Sequence, residues 1–131
     1  MAELALFSPW VFLLFVGAFD WGFYSYALVT TQNAARIAAE YTSSSTATVA
    51  DSTAACTLAL GVMGKLVNVG SGTTTCGSAP LIVTAASSTA SDGTTSSLVS
   101  VTYSSQTLIP IPGLLTNRLQ LTRKVRMRVR G

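Results

Sequence analysis

LALFSPWVFLLFVGAF, residues 4–19, carries no charge, and its reading decides how the chain is built. Glu3 precedes it, Asp20 interrupts, and residues 21–35 are uncharged again. Extended as one helix, residues 3–41 reach roughly 58 Å at about 1.5 Å per residue. A domain this small has no interior that long, so at least half of the helix must lie in a membrane or among other chains. The first half, residues 4–19, is apolar all round, which marks a helix covered on every side. The second half carries Phe23, Ala27, Thr30, Ala34, Ile37 and Tyr41 at steps of four and three, a stripe expected to face one small domain. Ser25, Gln32, Arg36 and Glu40 fall on another face, with Arg36 and Glu40 an i,i+4 pair in the less favoured order.

The apolar run is short for a simple anchor, since a span takes about 20 residues. A carboxylate inside a bilayer costs about 2.5 to 3.5 kcal/mol, which sets Asp20 apart. Pro9 removes one backbone donor and crowds the carbonyl of Ala5. A secretory signal would need a basic leading region and a small-residue cleavage site, and no Lys or Arg occurs before Arg36.

Three groups of residues in this half carry a resemblance: Glu3-Leu4-Ala5-Leu6 followed by Pro9; Gly17-Ala18-Phe19-Asp20-Trp21-Gly22; and Gln32-Asn33-Ala34-Ala35-Arg36 followed by Ala38-Ala39. In this order and spacing they resemble a TadE-like pilin or pseudopilin, of the tight-adherence branch of the type IV pilus family. In that family the glutamate is usually the fifth residue of the mature chain, and here it is the third. That implies a processed chain or a shifted register, and a short basic leader ending in Gly upstream of Met1 would favour the pilin route.

Composition narrows the class further. The 131 residues suffice for one domain plus the long helix. Charged residues make up 10% and hydrophobic residues 49%, and most of the remainder is Ser, Thr and Gly. Between Leu66 and Asn117 the only charge is Asp92. A surface wetted mainly by hydroxyls suits a secreted polymer whose subunits cover one another, or a surface carrying sugars. No Asn-x-Ser/Thr sequon occurs, so any glycan partner would be O-linked to Ser or Thr. Histidine is absent, which removes the commonest general base and a common metal ligand. The acids are scattered. No catalytic constellation, cofactor site or metal site is expected. Cys56 and Cys76, in an exported chain, read as one disulfide, worth about 3 kcal/mol on the chain-entropy estimate.

Residues 41–48 are a Ser/Thr-rich link that should end the first helix. Residues 49–67 read as a second helix, capped by Asp51 or Ser52, with Leu58, Val62 and Leu66 at steps of four. Gly61 and Gly64 weaken that reading by about 1 kcal/mol each. Residues 70–80 form a glycine-rich loop; lacking a Gly-Lys-Ser/Thr ending and a following helix pattern, it is not a phosphate loop. Three strands are expected, over 81–86, 98–104 and 118–130, with an Asp92-Gly93 turn between the first two. The last alternates most clearly: Leu119, Leu121, Val125, Met127 and Val129 share one face, with Arg123 the exception there. Arg118, Lys124, Arg126, Arg128 and Arg130 are on the other. No aromatic is interleaved with these cations, so nucleic acid is not expected as a partner. The apolar segment Leu108, Ile109, Pro110, Ile111, Pro112, Gly113, Leu114, Leu115 cannot be a central strand. It and the cations Lys124, Arg126, Arg128 and Arg130 are candidate subunit contacts.

The fold expected is α+β and pilin-like: a long N-terminal α-helix, residues 1–41, and a head, residues 42–131, of a second helix and a three-stranded antiparallel sheet. The function expected is that of a structural subunit of an extracellular pilus-like filament. Such a subunit is held in the inner (cytoplasmic) membrane before assembly, then delivered by pilus assembly machinery into a homopolymer. Glu3, Leu4, Leu6, Phe7, Pro9, Phe12, Leu13, Phe15, Val16 and Asp20 are the expected assembly residues. Two other readings share these features: a minor pseudopilin that primes or caps a filament, and a monomeric membrane-anchored adhesin.

Overall fold

A computed structural model describes residues 2–70, 72–73, 75–106 and 119–130, with side chains from residue 6 onward. The first helix, α1 (Ala2–Thr42), is continuous through Pro9 and about 60 Å long. The second, α2 (Ser52–Met63), packs beside its C-terminal half. Four strands follow: β1 (Gly77–Ser78), β2 (Leu81–Thr89), β3 (Thr95–Ser104) and β4 (Gln120–Arg128). They form one antiparallel sheet in the order β1-β2-β3-β4. α1 lies against β3 and β4, and α2 against β2, so both helices cover one face of the sheet.

The core lies between helices and sheet. Its α1 contribution is Ala27, Thr31, Ala34, Ala35, Ala38, Ala39 and Thr42, all buried, set at steps of four and three. This stripe shares Ala27 and Ala34 with the one expected. Phe23, Thr30 and Ile37 are half-buried at its margin, and Tyr41 is exposed. The reason is size: the buried seam of α1 is built from alanines, Ala34, Ala35, Ala38 and Ala39, clustered with Ala55 and Ala59 of α2. Small side chains fill its centre and leave large ones at the edge. From the sheet come Leu81, Val83, Val99, Val101, Tyr103 and Leu121. Ser25, Gln32, Arg36 and Glu40 face outward as expected, and Arg36 Nε reaches Glu40 Oε1 at 3.2 Å.

Helix α2 is shorter than the 49–67 expected. Asp51 caps it, its Oδ1 accepting from the backbone N–H of Thr53 and Ala54 at 3.1 and 3.0 Å. It runs through Gly61 but stops at Gly64, after which turns carry the chain through Leu66 and Val69. The sheet has four strands rather than three. β1 lies inside the glycine-rich segment read as a loop; its two residues pair with Ile82 and Leu81 across the tight Ala79-Pro80 turn, whose peptide bond is cis. A ladder this short is backbone only and leaves no side-chain pattern to detect. β2 extends past 86 to Thr89 and β3 starts at Thr95 rather than 98. The added pairs, Ser87–Ser97, Ser88–Ser96 and Thr89–Thr95, are hydroxyl-bearing and show no apolar alternation. Gly93, at φ 78°, makes the turn between them, and Asp92 Oδ1 accepts from Thr94 N and Oγ1 at 3.0 and 2.6 Å. Within 118–130 the ladder covers Gln120–Arg128; Leu119 is exposed rather than inward, and Arg118 lies outside the described residues.

Buried hydroxyls find partners within the fold. Thr42 Oγ1 and Ser97 Oγ are 2.7 Å apart, and Ser97 Oγ donates to the Val49 carbonyl at 3.2 Å, tying the end of α1, the link and β3 together. At the other end of β3, Tyr103 Oη donates to Asn68 Oδ1 at 2.8 Å, and Asn68 Nδ2 donates to the Ser104 carbonyl at 3.0 Å. The Arg130 N–H reaches the Ser43 carbonyl at 2.9 Å, fastening the strand β4 to the top of α1.

Candidate functional site

The feature without an internal explanation is the N-terminal half of α1. Leu6, Phe7, Trp10, Val11, Phe12, Leu13, Leu14, Phe15 and Phe19 are all more than half exposed, with Phe12 at 67% and Leu14 at 74%. Pro9 is exposed among them, and Val16 alone is covered, at 8%. Burying one Leu or Phe side chain contributes roughly 1.5 to 3 kcal/mol, so this surface is strongly unfavourable in water. Isolated exposed hydrophobes need no explanation, but a contiguous apolar surface on every side of a helix marks a contact with lipid or protein. α1 is long and apolar enough to cross a membrane, with a span beginning at Leu6.

Two shallow apolar concavities lie on this surface. Phe7, Ser8, Val11, Phe12 and Phe15 line one; Ala18, Phe19, Gly22, Phe23 and Tyr26 line the other. A Cβ added at Gly17 or Gly22 would meet nothing, so both positions are open notches on the helix. Asp20 sits where the exposed half gives way to the packed half. It is half-buried, and its Oδ1 is shielded without a hydrogen-bond partner among the described residues. Trp21 and Tyr24 follow it with ring centroids 5.9 Å apart.

The expected assembly residues Leu6, Phe7, Pro9, Phe12, Leu13 and Phe15 therefore share one uncovered rod. Glu3 and Leu4 belong to the same helix, their side chains outside the described residues. Trp10, Val11, Leu14 and Phe19 belong to that surface equally; the all-round apolarity of residues 4–19 is the signal that includes them. The segment Leu108, Ile109, Pro110, Ile111, Pro112, Leu114 and Leu115 lies outside the described residues.

Cys56 on α2 and Cys76 beside β1 are joined in a disulfide, with Cα atoms 5.7 Å apart. The Cys76 carbonyl accepts from Val83 N–H at 3.0 Å, so the bridge fixes α2 to the sheet's β1 edge. Lys124, Arg126, Arg128 and Arg130 are exposed, the first three on the face of the sheet turned away from the helices. Arg123 is on the inner face, as its register predicts. It stands opposite the buried Val101, and its Nε is shielded without a hydrogen-bond partner among the described residues. Among those residues no three His, Cys, Asp or Glu side chains come together as a metal site.

The model of the family described as TadE-like protein matches residues 1–40. The match covers the uncovered half of α1 and nearly all of the half that docks on the sheet. No curated protein and no solved structure matches the chain. The long helix, the open apolar rod and the second helix with its antiparallel sheet agree with what that match implies for the architecture. Over its first forty residues the chain is thus similar to the TadE-like, pilus-related family.

Proposed function

We propose that the chain is a structural subunit of an extracellular pilus-like filament, polymerising through α1. The observation that carries the reading is the apolar rod from Leu6 to Phe19, whose large side chains other than Val16 are left exposed. Before assembly the rod sits in the cytoplasmic membrane. Assembly machinery then moves it into a bundle of equivalent helices, with residues 42–131 coating the outside. The notches at Gly17 and Gly22 support close helix approach, since small residues let backbones meet where lipid gives no hydrophobic drive. A homopolymer is favoured over a lone anchored adhesin because neighbouring rods cover more of this surface than a single span does. Glu3 takes the part the family gives its N-terminal glutamate, pairing with an α-amino group at the start of its own or a neighbouring chain. O-linked glycans on the hydroxyl-rich head are compatible with the same placement.

Electron microscopy of sheared cell-surface material, with the subunit identified by mass, tests the proposal. The parent chain should give filaments with a helical repeat. Phe12→Asp with Phe15→Asp should give none while the head keeps its near-ultraviolet circular dichroism. A monodisperse detergent-solubilised monomer, with no filaments under any condition, would sink the reading.

A further inference from the structure

The outer face of the sheet carries a ladder of cations. Lys124 stands opposite Ser100, Arg126 opposite Leu98 and Arg128 opposite Ser96. β2 continues the surface with Thr84 and Ser88. Alternate residues on a strand are about 6.7 Å apart, so the three cations span about 13 Å in line. Arg126 is held across the strands, its Nε donating to Ser96 Oγ at 2.8 Å. No acid and no aromatic occurs on this face of β2, β3 or β4. Neither helix covers it.

A second copy of the chain offers no matching surface. Its five acids are dispersed and form no matching row: Glu40 pairs with Arg36, Asp51 caps α2, Asp92 is a single exposed carboxylate in the β2–β3 turn that feels the charge of Arg126, and Glu3 and Asp20 belong to α1. The ladder's complement is therefore foreign to this chain. Single-stranded nucleic acid would use aromatic platforms for its bases, and this face has none. What the face does combine is a row of cations with the hydroxyls of Thr84, Ser100 and the Thr102–Thr122 pair beside it, and Ile82, Ala86 and Leu98 between. We propose that it binds an acidic polysaccharide, the carboxylates on the cations and the sugar hydroxyls on the serines and threonines. The site lies away from the α1 rod and does not depend on polymerisation.

The test is a titration of the full chain, in a neutral detergent, with labelled alginate as the polyuronate probe. Dextran, polyglutamate and DNA oligonucleotides are run alongside. Alginate should bind, with an affinity that falls as salt rises. Lys124→Ser with Arg128→Ser, neither of whose side chains makes a hydrogen bond among the described residues, should weaken it by roughly tenfold or more while the near-ultraviolet spectrum stays that of the parent. Unchanged alginate binding in that variant overturns the proposal, as does equal binding of neutral dextran. Polyglutamate or DNA binding as tightly as alginate at the same salt overturns the choice of a polysaccharide.

Discussion

Tyr103→Phe isolates one hydrogen bond in the middle of the head. Tyr103 is fully buried, with Leu81 and Leu121 as its cross-strand neighbours, and its ring stays in place in the variant. What is lost is the bond from Oη to Asn68 Oδ1 at 2.8 Å. A neutral bond of this kind is worth about 0.5 to 1.5 kcal/mol net, and an acceptor left unsatisfied raises the cost toward about 1 to 3 kcal/mol. Asn68 keeps its Nδ2 bond to the Ser104 carbonyl, so the loop stays anchored and about 1 kcal/mol is the expected loss. For a head of this size that lowers Tm by about 4 to 8 °C. Asn68→Ala removes both bonds and should cost more than Tyr103→Phe. The double variant should show a coupling of about 1 kcal/mol, as contacting residues do. Burial also pushes the Tyr103 hydroxyl above its ordinary value of about 10. A folded value raised above the unfolded one gives stability that is complete below about pH 10 and lost as pH rises through the folded value. The parent should therefore weaken on the alkaline side more steeply than Tyr103→Phe, which has no phenol there to ionise. Thermal and urea unfolding in detergent, followed by near-ultraviolet circular dichroism at neutral and alkaline pH, measures all of this. Equal Tm values, zero coupling and identical alkaline limbs would refute the assignment.

Ala38→Leu forces a large side chain into the buried alanine seam of α1, and should cost about 1 to 3 kcal/mol, read as a lowered Tm. Cys56→Ser with Cys76→Ser should cost about 3 kcal/mol, since the bridge spans a sequence separation of 20 residues; intact mass of native protein should show no alkylated thiol before reduction. Glu3→Ala and Glu3→Gln should lower filament yield while leaving head Tm unchanged; if both assemble as well as the parent, Glu3 is only a solvated terminal acid.

The all-round apolar run, the alternation in β3 and β4 and the Asp92-Gly93 turn were legible in the sequence, and the cap of α2 was narrowed to Asp51 or Ser52. What the sequence hid was built from small or hydroxyl side chains. The buried stripe of α1 is mostly alanine; the expected stripe shared its Ala27 and Ala34 but took in the margin at Phe23, Thr30, Ile37 and Tyr41 and left out Thr31, Ala35, Ala38, Ala39 and Thr42. The outer ends of β2 and β3 pair serines and threonines, and β1 is two residues of backbone ladder held near the disulfide. Of the candidate site, the apolar rod was visible because its chemistry is uniform on every side. The open notches at Gly17 and Gly22 were not, because a glycine in a sequence does not say whether anything stands against it.

α1 has consequences for how force would travel through a polymer of such chains. The helix that forms the rod continues without a break into the head, from Asp20 through the alanine seam to Thr42. No linker intervenes to stretch or swivel. Tension along the rod would reach the head through a ladder of hydrogen bonds parallel to the pull. It would then pass sideways into β3 and β4, which pack against the same helix and are pinned at its end by Thr42–Ser97 and Arg130–Ser43. Loaded in that direction, many contacts between helix and sheet must slide together, instead of opening one after another as they would if peeled. The head is thus joined to its stalk as a blade is to its tang, and it would resist being drawn off by a steady pull better than its small core implies.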